Sequence, residues 1–188
     1  MNKNQIKLIK NCLMGSFMLP VLISNTALAS DREEQDFFCG KDNPIQAQSL
    51  KTIIPTLYSI VSGNAGSDKN WELLKKLHKK DAIITPVFHT ETNHTAKMYS
   101  VEEFIDLNKQ IFQNINFYES EISQQVIQYG HMATILSHYE SRDKLGATPY
   151  AQGVNSFQLL NDGRRWCVIS VTWDSTKGGH SIPTLINK

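Results

Sequence analysis

Hydrophobic residues change their spacing along this chain, and each change marks an element. From Leu50 the apolar positions Leu50, Ile53, Ile54, Leu57, Tyr58 and Val61 recur every three or four residues, the stripe of one helix face. Asn43-Pro44 offers a cap and a first-turn proline, so a helix is predicted from there, kinked or split at Pro55 and ended by Gly63. Trp71, Leu74, Leu77 and His78 predict a second, shorter helix whose solvated side carries Lys75, Lys76, Lys79 and Lys80. Residues 81–88 predict a short strand limited by Pro86. Ser100-Val101-Glu102-Glu103 is a capping box opening a third helix, with Val101, Phe104, Ile105, Ile111 and Phe112 as its apolar face. After Asn114 the period shortens, and four β-rich runs follow at 117–127, 132–142, 153–160 and 165–174. Tyr129-Gly130, a loop with Gly146 and Pro149, and the hairpin signal Asp162-Gly163 separate them. Helix, helix, strand, helix and a four-strand antiparallel meander make an α+β order.

The N-terminus has a different pattern. Lys3, Lys7 and Lys10 precede an uncharged, largely apolar run over residues 12–23, and Ala27-Leu28-Ala29 is a small-x-small cleavage pattern. Residues 1–29 therefore read as a cleavable secretory signal peptide, and the mature protein is expected in the periplasm or secreted. The run is too short for a spanning helix and holds Pro20, while Cys12 is misplaced for lipid modification, so no membrane anchor is expected in the mature form. Residues 30–43 are expected to form a polar arm, 44–176 one domain, and 177–188 a flexible tail.

The whole chain has 19 Lys+Arg and 18 Asp+Glu. Three lysines leave with the signal, so the mature balance is near neutral, without a basic stripe, which argues against nucleic-acid binding. Cys39 and Cys167 remain after cleavage and form no C-x-x-C; one disulfide and two free thiols both stay open.

Four stretches carry a resemblance: Phe117-Tyr118-Glu119-Ser120-Glu121-Ile122, Ser137-His138-Tyr139-Glu140-Ser141-Arg142, Gly153-Val154-Asn155-Ser156-Phe157-Gln158-Leu159 and Gly163-Arg164-Arg165-Trp166. Together they resemble the NTF2-like (SnoaL-like) superfamily, and more narrowly its bacterial members with a Y-E-S-R strand and a G-[IV]-N-S-x-Q-L strand. The resemblance implies a cone: a bent antiparallel sheet wrapped around three N-terminal helices, enclosing a pocket, and commonly a dimer through the outer sheet face. It implies no reaction, since the superfamily includes isomerases, dehydratases, cyclases and epoxide hydrolases.

Turn positions suggest which residues share a face. A two-residue loop at Asp162-Gly163 would set Leu159 opposite Trp166, Phe157 opposite Val168 and Asn155 opposite Ser170. The same logic at Tyr129-Gly130 gathers Ile122, Val126, Ala133, Ile135, Ser137 and Tyr139 on one face, and sets Glu121 opposite His138 on the other. A one-residue slip would invert these faces. The expected pocket wall is Ser137, Tyr139, Asn155, Phe157, Trp166 and Ser170, with Tyr58 or Trp71 from the helices, since a few polar groups on an apolar wall suit a small molecule. The alternative is ordinary core. Glu121 and His138 are the candidate acid–base pair, with Tyr139 beside them, and the alternative there is an exposed cross-strand pair. His89, Glu91 and His94 lie within six residues but lack the spacing of a helical zinc motif, so no metal is expected. No phosphate-binding or dinucleotide fingerprint occurs, and no cofactor is expected. In ketosteroid-isomerase-like relatives a carboxylate precedes the first-strand proline; here Thr85 precedes Pro86 and cannot serve as that base.

Three readings stand at this point. The first is binding of a small, largely apolar molecule without assured catalysis. The second is a small-molecule lyase, isomerase or hydrolase. The third is a dimeric interaction module with a filled cone. A homodimer is expected through Val154, Ile169, Val171 and Trp173, read as one outer face of the last hairpin. For export the expected outcome is a mature chain beginning at Ser30. Intact-mass measurement of the product in the periplasm or medium checks it, and a full-length chain retained in the membrane would refute it.

Overall fold

Helix α1 (Leu50–Val61) buries Ile53, Ile54, Leu57, Tyr58 and Ile60 on one face. The computed structural model describes residues 37–184 and Ile186; the expected signal peptide and residues 30–36 of the N-terminal arm lie outside the described residues. Ser49, not Asn43, caps α1, accepting a hydrogen bond from the Lys51 amide at 3.1 Å. The Asn43-Pro44 signal yields only a 3-10 turn at Ile45–Ala47. Pro55 neither ends nor splits α1. It lies on the exposed side, so the carbonyl of Lys51, one turn back, keeps access to water when its amide partner is missing.

Helix α2 (Trp71–Leu77) is capped by Asn70, and His78 opens strand β1 (His78–His89) where the sequence placed it on the helix. Short strands β2 (His94–Ala96) and β3 (Tyr99–Ser100) lead into α3 (Val101–Phe112), where the Ser100/Glu103 capping box forms as expected. The meander follows as β4 (Tyr118–Tyr129), β5 (Met132–Arg142), β6 (Ala151–Asn161) and β7 (Trp166–Ser175). β1 joins its far edge parallel to β7, and the path through the sheet is β2-β1-β7-β6-β5-β4, with β3 paired to β1. The result is an α+β structure with a bent, open sheet of seven strands. Leu57, Ile54 and Leu77 pack with Ile135, Leu159 and Val168 of the concave face to form the core.

Two bulges set which side chains reach that face, and they correct the expected registers. In the β4–β5 pair, Tyr129 meets Met132, but the register shifts between Glu121 and Ser123, so Glu121 lies opposite Tyr139 and His138 opposite Ser123. Ile122 is the extra residue. In the last hairpin the loop holds four residues, 162–165, with Asp162 Oδ1 accepting from the amides of Arg164 and Arg165. Leu159 therefore meets Val168, and a second shift at Ile169 sets Gln158 opposite Ser170, Phe157 opposite Val171 and Asn155 opposite Trp173. Val171 and Trp173 consequently face inward, away from the outer face on which a dimer was expected, and a Val171→Glu change would strike the interior.

Both ends of the described chain reach the outer side. Cys39 and Cys167 form a disulfide with Cα atoms 5.6 Å apart, tying the arm to β7. Arg165, almost fully buried, donates to the carbonyl oxygens of Lys76 and Cys39 and so pins the same arm to the end of α2. Past β7 the chain returns to β4, where the Ser123 hydroxyl donates to the carbonyl of buried Ile186. Among the described residues no helix is long and apolar enough to cross a membrane.

Candidate functional site

Between α1, α3 and the concave sheet lies a cavity of about 370 Å³. Its wall is largely aliphatic and aromatic. Phe112 of α3 stacks on Phe117 at 5.2 Å, and Phe104 meets Trp173 of β7 edge-on at 6.1 Å. Such a surface gains by excluding water, and aromatic pairs of this kind hold their geometry. Its polar groups come from few places: Tyr58 on α1, Asn108 on α3 (its amide donating to the Phe104 carbonyl), Glu119 on β4, Tyr139 and Ser141 on β5, Tyr150 in the following loop and Asn155 on β6. His78 also reaches it, its Nδ1–H donated to the Leu74 carbonyl at 2.8 Å. Burial holds His78 near pKa 4, so it is neutral at physiological pH.

The polar groups divide into a committed set and an available set. Ser137 donates to Glu121 Oε1 at 2.6 Å, so the 2.7 Å contact between Ser137 and Tyr58 must use the tyrosine proton. Asn155 Nδ2 donates to the same Tyr58 oxygen at 2.8 Å. The chain Asn155→Tyr58→Ser137→Glu121 thus ties α1 to three strands, and Tyr58 has no proton left for a ligand. Burial pushes the Tyr58 phenol up, consistent with a neutral hydroxyl inside this chain.

Glu119 and Tyr139 form the available set. Glu119 lies opposite Ser141 across the β4–β5 pair and accepts its hydroxyl through Oε1 at 3.1 Å, while no described residue hydrogen-bonds the other oxygen. Burial pushes the Glu119 carboxyl up to about 7, against the lowering effect of the Ser141 hydrogen bond. Glu121 is also raised by burial, less deeply placed and already bonded to Ser137. The Tyr139 hydroxyl has no hydrogen-bond partner among the described residues, and its ring lies over Gly153, its cross-strand neighbour. A Cβ on Gly153 would come within 2.5 Å of that hydroxyl and closer still to the Asp174 carbonyl, so glycine there makes room for the ring.

Of the residues expected from sequence, Tyr58, Tyr139, Asn155 and Phe157 line the cavity, and Ser137 sits behind them within the hydrogen-bond chain. Trp71 stands outside it, stacked on the back of Phe112 at 6.1 Å. Trp166 is buried core at the closed end of the last hairpin, and Ser170 pairs with Gln158 on the outer face because of the Ile169 bulge. The Glu121/His138 pair does not exist, because the Ile122 bulge turns Glu121 to the concave side while His138 stays on the outer one. His138 is buried there with neither ring nitrogen hydrogen-bonded among the described residues. Near the end of β1, His89 Nε2 contacts Asp174 at 2.5 Å, and Glu91 and His94 are exposed. No described group of three or more His, Cys, Asp or Glu is arranged to hold a metal ion. Sequence reasoning missed Glu119, Ser141, Tyr150 and Trp173. Glu119 shares the strand parity of Glu121, so correct placement of one would have found the other.

A raised carboxyl pKa has a definite stability signature. Below the ordinary carboxyl value of 4.5 the group is protonated folded and unfolded alike; as pH climbs towards about 7 only the unfolded chain can ionise it freely, and stability falls. We expect Glu119→Gln to remove a pH-dependent loss on the order of 3 kcal/mol accrued between those limits. Urea midpoints of both proteins across that pH range check it, and parallel pH profiles would contradict it.

No protein-family model matches the chain, and no curated protein matches it. Solved structures do. An NTF2-like protein of unknown function from Silicibacter pomeroyi is 16% identical, with 67% of this chain and 92% of that chain covered at a TM-score of 0.46. A protein of unknown function with a cystatin-like fold from Nostoc punctiforme is 7% identical, with 69% and 94% covered at 0.49. An NTF2-like protein of unknown function from Shewanella baltica is 14% identical, with 69% and 91% covered at 0.43. The chain is thus similar to solved NTF2-like proteins.

Proposed function

We propose that this is an exported protein that binds a small, largely apolar molecule in the cavity, with the molecule's polar end directed at Glu119 and Tyr139. The observation that carries the reading is the pairing of a roomy apolar cavity with one Glu119 carboxyl oxygen and the Tyr139 hydroxyl, neither hydrogen-bonded by a described residue. Buried polar groups are ordinarily hydrogen-bonded, and a ligand or water is the natural partner for those that are not. A filled cone would leave no such volume. Export is supported by the order of charged, apolar and small residues at the N-terminus, and a disulfide suits an oxidising compartment.

Glu119 also favours a second reading, proton transfer on the bound molecule. A carboxyl with pKa near 7 can both take and return a proton at neutral pH, and the free Tyr139 hydroxyl can stabilise charge developing nearby. Catalysis would then run through Glu119 rather than through Glu121 and His138.

The neutral fluorescent probe 1-aminoanthracene tests the cavity. Wild-type protein should enhance its fluorescence saturably. Ala151→Trp, which places an indole in the wall, should lower that affinity roughly tenfold or more. Tyr139→Phe should change the unfolding free energy, read from urea titrations, by no more than about 0.5 kcal/mol, since its hydroxyl bonds no described residue. Equal probe binding by wild type and Ala151→Trp would place the probe elsewhere and count against the reading.

A further inference from the structure

The cavity's polar end is acidic and aromatic and holds no cation among the described residues. We propose that its preferred ligand is a small lipophilic amine, bound as the ammonium ion with its charge against Glu119 and its carbon skeleton along the aromatic wall. This rests on the small-molecule reading above and commits it to one ligand class.

Three observations point the same way. Among the described residues no lysine or arginine lines the cavity, and His78, their one basic side chain there, is buried with its Nδ1–H given to Leu74. No described residue supplies the positive charge that would pair a buried carboxylate, and an unpaired ionised carboxylate is costly in such a place, so a bound ligand is the natural source of it. Secondly, eight of the lining residues are aromatic. Ring faces attract an organic cation, and they do so more strongly when water is excluded. Thirdly, every group that acts on Glu119 is neutral or negative. Ser141 and Tyr139 face it from β5, Tyr150 from the loop after β5, Tyr58 from α1, and Glu121 shares its strand. Asp174 adds a further negative charge near Tyr139.

An anionic ligand would meet repulsion from all of these. A neutral one would leave Glu119 holding its proton and gain one hydrogen bond. An ammonium ion instead gains a charge-assisted hydrogen bond to the free carboxylate oxygen and contact with the rings. Its binding displaces the proton that Glu119 holds, so affinity should rise with pH until that group is fully ionised.

Isothermal titration with three probes on one skeleton tests the proposal: 4-phenylbutylamine, 4-phenylbutan-1-ol and 4-phenylbutyrate. At about pH 8 the amine should bind roughly tenfold or more tighter than the alcohol, and the carboxylate weakest. At about pH 5.5 the amine should lose roughly tenfold while the alcohol is unchanged. Glu119→Gln should bring the amine down to the alcohol and leave alcohol binding intact. The pH arm reads the same dependence in wild-type protein, so the test does not hang on the variant folding. Alcohol binding equal to or tighter than amine at pH 8, or an amine advantage that survives both low pH and Glu119→Gln, would overturn the amine assignment and leave the small-molecule reading standing. Absence of binding by all three probes would overturn both.

Discussion

A sheet that bends over its helices does not keep one register from end to end, and in the meander the register shifts at Ile122 and Ile169. Each bulge inserts one residue into its strand, bends it and moves every later side chain to the other face. At Ile122 the shift brings Glu119 and Glu121 to the concave side. At Ile169 it brings Val171 and Trp173 there and sends Ser170 out. The cavity owes its carboxyl and part of its aromatic wall to these two insertions.

The hydrogen-bond chain through Tyr58 then holds the concave wall to the helix. Asn155, Tyr58, Ser137 and Glu121 satisfy one another from α1 and three strands, which leaves the core polar yet fully partnered along that line. Their mutual satisfaction makes the neighbouring Glu119 and Tyr139 stand out. One accepts a single hydrogen bond, the other none from any described residue, and both open on the same space. Gly153 keeps that arrangement by leaving room for the Tyr139 ring. Outside the cone, the Cys39–Cys167 disulfide and Arg165 fasten the arm to the edge of the core without entering the cavity.

Much of the architecture was legible in the residue pattern. The α1 stripe, the Ser100/Glu103 capping box and the four meander strands all lie where their periodicity placed them. Pro55 misled because a proline on an exposed helix face costs less than one whose orphaned carbonyl is buried. The site was legible only in part. Tyr58 was found because it lies on the helix stripe, and Tyr139, Asn155 and Phe157 because β5 and β6 pair without a register shift, so strand parity holds along them. Trp166, Ser170 and the Glu121/His138 pair were misplaced because the last hairpin has a four-residue loop built on Asp162, and because neither bulge residue carries a glycine to announce it. Ile122 and Ile169 look like ordinary strand residues. Their role follows from the curvature of the whole sheet, which no local pattern encodes.

Glu119 is a buried carboxyl that faces an open cavity and has no cationic partner among the described residues. Site-resolved titration of its side-chain carboxyl carbon by 13C NMR, assigned by its loss in Glu119→Gln, measures that directly. A midpoint near 7 in the ligand-free protein is the result predicted. A midpoint at or below the ordinary carboxyl value of 4.5 would mean that the group is solvated or already paired, and would contradict it.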